Sequence, residues 1–170
     1  LLDKGWKVYG IDKANYVSNK AIINILSKND NFTYVEEEIQ KLTWIPECDV
    51  LFNLAAESHV DNSIESCSSF VDSNIHGVRN LLEIIGTNIT RSTDKPLFFH
   101  FSSDEVYGDQ LTGQVTEESP LLPSNPYSAT KAAADMLIQS WARTHGLEYI
   151  IVRPSNNYGE YQYPEKFLPL

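Results

Sequence analysis

The chain has 170 residues, of which 42% are hydrophobic and 21% charged, and its formal net charge is -10. This length suffices for one domain with a substantial core, and the negative charge argues against binding nucleic acid or an anionic membrane surface. The apolar runs are of strand length, too short for a membrane helix, and two cysteines are too few for a disulfide framework, so a reducing, cytoplasmic location is expected.

The opening residues predict the last turn of a helix that stops at Gly5, because glycine is favoured just past a helix end. Short apolar strands then alternate with amphipathic helices, which indicates βαβ units on a parallel sheet and an α/β fold class. In chain order we predict strand 6–11, helix 17–28, strand 32–36, strand 50–55, helix 68–86, strand 97–102, helix 127–145 and strand 149–153.

A sheet of this kind binds its ligand beyond the carboxyl ends of the strands. The loops after Ile11, Ala55, Ser102 and Arg153 are therefore where we expect the chemistry. A phosphate-bearing ligand would need local cationic donors, although any one cation without a motif is better explained as a solvated surface charge. The candidates are Lys13, Lys131, Arg153 and Lys166.

Asp12 follows the first predicted strand, where a dinucleotide-binding fold places an acidic residue to bind the adenosine ribose. This position indicates NAD, because a carboxylate would repel the 2′-phosphate of NADP. The neighbouring Lys13 weakens that exclusion. An ordinary turn aspartate explains Asp12 equally well.

Tyr127 and Lys131 stand four residues apart near the start of a predicted helix, so both side chains share one face. An ammonium beside a phenol is expected to lower the phenol pKa, which suits a base that removes a hydroxyl proton during oxidation of an alcohol. The spacing alone is weak, because two other Tyr–Lys pairs repeat it. These are Tyr9 with Lys13 and Tyr16 with Lys20.

The segment Ser102-Ser103-Asp104-Glu105, directly after an apolar strand, distinguishes the third pair. A serine with Tyr127 and Lys131 fits a dehydrogenase site in which the serine hydroxyl orients the substrate alcohol. Two adjacent carboxylates could be solvated turn residues. Beside a hydride acceptor they would instead supply a proton donor and a proton acceptor, as elimination of water requires.

His59, with Glu57 and Asp61 beside it, raises two other possibilities. A metal site is not favoured, because no second histidine stands at a ligand spacing. A hydrolase triad is not favoured either, because the chain has no Gly-x-Ser-x-Gly turn.

Four motifs in order closely resemble the dTDP-glucose 4,6-dehydratase family of extended short-chain dehydrogenase/reductases. They are NLAAESHVD at 53–61, SDEVYG at 103–108, PYSATK at 126–131, and SNNYG at 155–159 followed by YPEK at 163–166. The resemblance covers nearly all 170 positions. The Asp-Glu pair is typical of this family, whereas GDP-mannose dehydratases and UDP-glucuronate decarboxylases usually show Ser-Glu, and epimerases small or uncharged residues.

The resemblance implies a lyase that uses NAD to dehydrate a nucleoside-diphosphate glucose to the 4-keto-6-deoxy sugar, as in rhamnose-type biosynthesis. It implies that Tyr127 is the base at C4, with Ser103 and Lys131 supporting it. Glu105 would remove the C5 proton, and Asp104 would protonate the departing C6 hydroxyl. By position, the cofactor contacts are Asp12, Lys13, Glu38, Ile39, Ala55, Ala56, Tyr127 and Lys131, and the substrate contacts are Ser58, Asn156, Glu165, Lys166 and Leu168.

Three positions depart from the family pattern. Ser103 replaces a usual threonine and keeps its hydroxyl, and Glu38 replaces a usual aspartate. Asn62 stands where bacterial members usually have arginine, so the nucleotide base stays open between dTDP and UDP. A non-catalytic dinucleotide-binding homologue is the alternative to an enzyme. The resemblance also implies a homodimer that packs partly through the Tyr127 helix.

The chain starts without a methionine and inside an element, so we expect an internal fragment of a longer protein. Residues 1–153 would form part of a Rossmann-type, doubly wound NAD-binding domain, and 154–170 would begin the substrate-binding region. The first strand, its glycine-rich loop and the C-terminal substrate domain would lie outside. Loss of a central strand leaves unpaired edges, so we expect the 170 residues alone to fold poorly and to be inactive.

Overall fold

The computed structural model describes residues 1–89 and 95–163. Its strands are β1 (Val8–Asp12), β2 (Phe32–Glu36), β3 (Val50–Asn53), β4 (Leu97–Phe101) and β5 (Tyr149–Val152). Its α-helices are α1 (Lys20–Leu26), α2 (Val60–Glu65), α3 (Ser68–Phe70), α4 (Gly77–Ile89) and α5 (Pro126–His145). A π-helical stretch (Val71–His76) joins α3 to α4, and single 3₁₀ turns cover Leu2–Lys4 and Asp104–Tyr107.

The chain divides into two compact units. The first contains Leu1–Ile39 and the described residues from Asn156 onward. In it β1 pairs with β2 in parallel, from Val8 opposite Phe32 to Asp12 opposite Glu36. Among the described residues no strand pairs with the other edge of β1.

The second unit, Gln40–Ser155, holds a three-stranded parallel sheet in the order β3-β4-β5. Helices α4 and α5 pack against each other, and β4 is the central strand of the sheet. Phe98 of β4 is completely buried, as is Ile138 of α5. Burying such side chains stabilises the fold by about 1.5–3 kcal/mol each relative to leaving them exposed. The parallel α/β class predicted from the sequence is confirmed.

The predicted strands agree with the observed ones to within two residues, and Gly5 ends the opening turn in the left-handed conformation, with φ 77°. The predicted helix 17–28 is shorter because Asn19 caps it, accepting the Ala21 and Ile22 backbone N–H groups. The predicted helix 68–86 contains the π-helical stretch. Helix α2 was not predicted, because six residues are too few to reveal a helical period.

No helix within 1–89 or 95–163 combines the length and apolar character needed to cross a bilayer. The sequence also predicted that residues 1–153 bind NAD and that residues 154–170 begin the substrate-binding region. That division is by ligand, and it stays a prediction.

Candidate active site

The segment Ser103-Asp104-Glu105 follows β4 and forms a tight turn. Ser103 caps this turn, and its Oγ accepts the Glu105 N–H at 3.2 Å. The Asp104 N–H donates to the Pro154 carbonyl at 3.2 Å, which ties the turn to the chain that follows β5. Gly108 ends the turn at φ 76°, and a Cβ there would collide with the Leu122 carbonyl oxygen. The three polar residues therefore sit in a well-determined backbone.

Tyr127 lies in the first turn of α5, where several contacts hold it. Asn125 caps the helix by accepting the Ser128 N–H at 2.8 Å. The Tyr127 N–H donates to Ser63 Oγ of α2 at 3.1 Å, and the Tyr127 ring meets Phe70 edge to face at 6.5 Å. Only 9% of Tyr127 is exposed. Its backbone and ring thus have little freedom.

The turn after β4 and the start of α5 meet at Tyr127. The Ser103 hydroxyl, Glu105 and Asp104 all lie close enough to its hydroxyl to act on it electrostatically. Asn125 Nδ2 donates to Glu105 Oε2 at 3.2 Å. The structure therefore brings together four residues that the sequence placed in one site.

The expectation that Lys131 lowers the pKa of Tyr127 is wrong for this structure. Burial raises the Tyr127 pKa above 10.0; the nearby Ser103 hydroxyl opposes this shift, while Glu105 and Asp104 add to it. Lys131 is itself only 3% exposed, and its Nζ donates to the Phe101 carbonyl at 2.6 Å. Burial lowers the Lys131 pKa to about 8, against the attraction of Asp135.

The other two Tyr–Lys pairs do not share this geometry. Tyr9 lies within β1, where the extended chain rises about 3.3 Å per residue, so a spacing of four residues does not bring two side chains together as one helical turn does. Tyr16 lies in a turn before α1, whose first residue is Lys20. Of the three pairs, only Tyr127 and Lys131 both lie within one helix, where a spacing of four residues places two side chains on the same face.

The loop after β3 carries Ala55 and Ala56, both half-buried, and Ser58, which is exposed. Asn74, from the π-helical stretch, holds this loop: its Oδ1 accepts the Glu57 N–H at 2.9 Å and its Nδ2 donates to the Glu57 carbonyl at 3.0 Å. The same Nδ2 lies 2.9 Å from Thr130 Oγ1 on α5.

These supporting polar residues were not anticipated. The sequence did offer one sign of Asn74: an amide at a position on the apolar face of the predicted helix 68–86. In the structure Asn74 is buried there, with 1% of its surface exposed.

In the first unit, Asp12 ends β1 as predicted. Its Oδ1 accepts the Ala14 N–H and the Ser18 hydroxyl, each at 2.7 Å. Ala14 has a positive φ of 52°, so the carboxylate fixes a tight turn after the strand. The remaining predicted contacts in this unit are Lys13 and Glu38, both half-buried, Ile39, which is buried, and Asn156, which is exposed. Glu165, Lys166 and Leu168 lie outside the described residues.

Arg153, one of the candidate phosphate ligands, is already paired inside the second unit. Its Nε donates to Asp135 Oδ2 at 2.9 Å and its NH1 to the Tyr107 hydroxyl at 2.7 Å. The guanidinium therefore has a structural partner that the sequence did not reveal. Across the described ranges, no group of three or more His, Cys, Asp or Glu residues is arranged to hold a metal ion.

Comparison with known proteins gives a consistent result. The family model of GDP-mannose 4,6 dehydratase matches residues 1–169. The dTDP-glucose 4,6-dehydratase of Haemophilus influenzae is 42% identical over 96% of this chain and 52% of its own length. That of Streptomyces niveus is 40% identical over 98% and 49%. The chain thus spans about half the length of these curated relatives.

A trifunctional protein of Arabidopsis thaliana that includes a UDP-glucose 4,6-dehydratase is 38% identical over 96% of this chain and 26% of its own length. Among solved structures, DesIV, a dTDP-glucose 4,6-dehydratase of Streptomyces venezuelae with NAD bound, superposes with a TM-score of 0.86. It is 35% identical, over 96% of this chain and 50% of that one. This likeness confirms the Rossmann-type fold predicted from the sequence.

Proposed function

Since this chain belongs to the GDP-mannose 4,6 dehydratase family, we propose that the protein containing it is an NAD-dependent sugar-nucleotide 4,6-dehydratase. The observation that carries the proposal is that two carboxylates, Asp104 and Glu105, act on the buried Tyr127 from the same turn as the buried Ser103. A tyrosine with a serine serves an alcohol oxidation. An added pair of carboxylates serves the loss of water.

The residues of each unit fit a bound NAD. In the first unit Asp12 ends β1 as an exposed carboxylate, which suits a ribose diol. In the second unit the half-buried Ala55 and Ala56 follow the carboxyl end of β3, where a sheet of this kind binds its ligand. When bound, NAD would accept a hydride from C4 of the sugar and return it to C6. The proposed contacts also include Lys13, Glu38, Ile39, Tyr127 and Lys131.

The proton steps fall to this chain's own side chains. Tyr127 Oη would take the proton of the C4 hydroxyl, and Ser103 Oγ would hold the same oxygen. Because its raised pKa keeps Tyr127 protonated at neutral pH, oxidation should accelerate as the pH rises. Lys131, held on the Phe101 carbonyl, would carry the balancing positive charge.

Elimination would then use the two carboxylates. Once C4 is a ketone, the proton at C5 is acidic, and Glu105 would remove it. Asp104, which is exposed and therefore able to exchange protons with water, would protonate the departing C6 hydroxyl. The hydrogen bond from Asn125 keeps Glu105 in one orientation for this role.

The proposed substrate is dTDP-glucose, which the names of the first relatives support. UDP-glucose is the alternative, favoured by the Arabidopsis relative. The sugar would contact Ser58, Asn156, Glu165, Lys166 and Leu168. We place the enzyme in deoxysugar biosynthesis of the rhamnose type.

The cellular setting is a further part of the proposal. A cytoplasmic location is supported by the two free thiols, half-buried Cys48 and exposed Cys67. A homodimer is supported by Met136, an apolar side chain 64% exposed on α5. The acidic charge of -10 supports a protein that binds neither nucleic acid nor membranes.

The test is to incubate the full-length protein with dTDP-glucose and, separately, UDP-glucose, and to follow the alkali-induced absorbance of the 4-keto product. Product from either nucleotide is expected, and the faster one identifies the base. If the protein binds NAD but leaves both sugars unchanged, it is a non-catalytic dinucleotide-binding homologue and the proposed activity is wrong.

A further inference from the structure

A buried charged cluster lies one helical turn beyond Lys131 on α5. At its centre is Asp135, which is fully buried. Arg153 Nε, from the residue that follows β5, donates to Asp135 Oδ2 at 2.9 Å. The Arg153 guanidinium also donates to the Tyr107 hydroxyl and lies 5.1 Å from the centre of the Tyr107 ring. These contacts hold the Asp135 carboxylate in one position.

His100 of β4 faces the other oxygen of this carboxylate. His100 Nδ1 lies 3.0 Å from Asn53 Nδ2, and because an amide nitrogen only donates, Nδ1 is the acceptor. The ring proton of neutral His100 is therefore on Nε2, which lies 3.8 Å from Asp135 Oδ1. Burial lowers the His100 pKa to about 3, so the ring is neutral at physiological pH. His100 thus presents an N–H dipole to Asp135 without adding a charge.

Lys131 is a cation in the same buried region. Its hydrogen bond to the Phe101 carbonyl supplies a dipole but no negative charge. A buried ammonium without an anion loses its proton easily, because burial disfavours the charged form. Among the described residues, Asp135 is the group whose charge opposes that loss.

We propose that Asp135 is a positioning residue for the Tyr127–Lys131 pair: fixed by Arg153, its buried carboxylate keeps Lys131 protonated at the end of β4. This inference rests on the proposed function of that pair. The titratable groups that act on Lys131 and Asp135 from the neighbouring elements are His100 on β4 and Arg153 after β5, and Tyr107, in the turn after β4, contacts Arg153.

Two substitutions separate charge from shape. Asp135→Asn keeps the size of the side chain but leaves Lys131 and Arg153 as two buried cations without their shared anion. Asp135→Glu keeps the charge. If the carboxylate sets the charge of Lys131, the first change should alter the Lys131 pKa and the second should largely preserve it.

The test uses the full-length protein with carbon-13-labelled lysine, the Lys131 resonance being assigned through Lys131→Arg. Asp135→Asn is expected to lower the Lys131 pKa by at least about one unit, a tenfold change in proton affinity, and Asp135→Glu to restore most of it. The rise of kcat with pH should level off about one unit lower in pH, with little change in KM.

A Lys131 pKa that is equal in the wild type and in folded Asp135→Asn would overturn the inference. If Asp135→Asn does not fold, the protonation state of Lys131 in the wild-type protein is the test. The ammonium form at pH 7 is expected, and the amine form would overturn the inference. A protein without dehydratase activity that still shows the Lys131 shift would disprove the proposed function and leave the link between Asp135 and Lys131 intact.

Discussion

The side-chain amide of Asn125 donates a 3.2 Å hydrogen bond to the carboxylate of Glu105. The same side chain accepts the Ser128 N–H as the cap of α5, whose second residue is Tyr127. One residue thus couples the start of the helix that carries the phenol to the carboxylate proposed to abstract the C5 proton. Substitutions of Asn125 should therefore separate its effect on the stability of the fold from its effect on catalysis.

Asn125→Ser should keep the cap but lose the hydrogen bond to Glu105, because serine caps helices as well as asparagine but is shorter. We expect the free energy of unfolding to change by less than about 0.5 kcal/mol and kcat to fall roughly tenfold. Asn125→Ala should lose both contacts and about 1 kcal/mol of stability. Denaturant titrations and initial rates measure the two effects. A serine variant as active as the wild type would refute the coupling.

Glu105→Gln should stop the loss of water while leaving the oxidation of C4 possible, because the amide cannot accept the C5 proton. Loss of a positioned base typically costs 10²–10⁴-fold, so product formation should fall by about that factor. Reduced nicotinamide should still form when substrate is mixed with the NAD-loaded enzyme. The matched control is Glu118→Gln, a change at an exposed carboxylate. Equal losses in both variants would contradict the assignment.

Tyr127→Phe should lower kcat by about 10²–10⁴-fold, because it removes the proton acceptor and keeps the buried ring against Phe70. Tyr9→Phe is a suitable control: Tyr9 has the same spacing from a lysine but lies on β1 and is 45% exposed. Rates with saturating substrate provide the measurement. If the two variants behave alike, the four-residue spacing carries no catalytic meaning here.

Asp104→Asn should lower the pKa of Tyr127, because one of the two carboxylates that raise it becomes neutral. A raised phenol pKa also means that folding retains a proton that the unfolded chain loses above about pH 10. The stability from Tyr127 is therefore complete below that pH and declines above it. Carbon-13 NMR of labelled tyrosine rings, assigned with Tyr127→Phe, follows the titration. An unchanged or higher pKa in Asp104→Asn would contradict the predicted electrostatic contact.

His100 predicts sensitivity to acid. Its pKa is about 3 in the folded chain and 6.5 for a free imidazole, so unfolding takes up a proton between those values. The free energy of unfolding should be highest above pH 6.5 and fall as the pH drops towards 3. His100→Asn, which keeps an acceptor for Asn53, should flatten this dependence. Denaturant unfolding at several pH values checks it, and an equally steep decline in the variant would exclude His100 as the source.

The local features of the site could be predicted because they depend on neighbouring residues. Each of these features is defined by residues only a few positions apart in the sequence. They are the strand before Ser103, the asparagine and proline that start α5, and the Tyr127–Lys131 spacing. The π-helical stretch and the short helix α2 could not be predicted, since a helical period needs more residues than either contains. For this reason Ser63 and Asn74 were not anticipated as supports of the site.

By itself the sequence determined the α/β class, the strand ends that carry polar residues, and the adjacent carboxylates Asp104 and Glu105 on which the proposed loss of water depends. Only the tertiary structure decided the protonation and the charge pairing of the site residues. Tyr127 has a raised pKa rather than a lowered one, because burial and two carboxylates outweigh any effect of Lys131. Arg153 pairs with Asp135 from 18 residues away, a contact that no local pattern encodes. Protonation depends on burial and on partners brought in from distant elements, and these exist only once β4, β5 and α5 have packed.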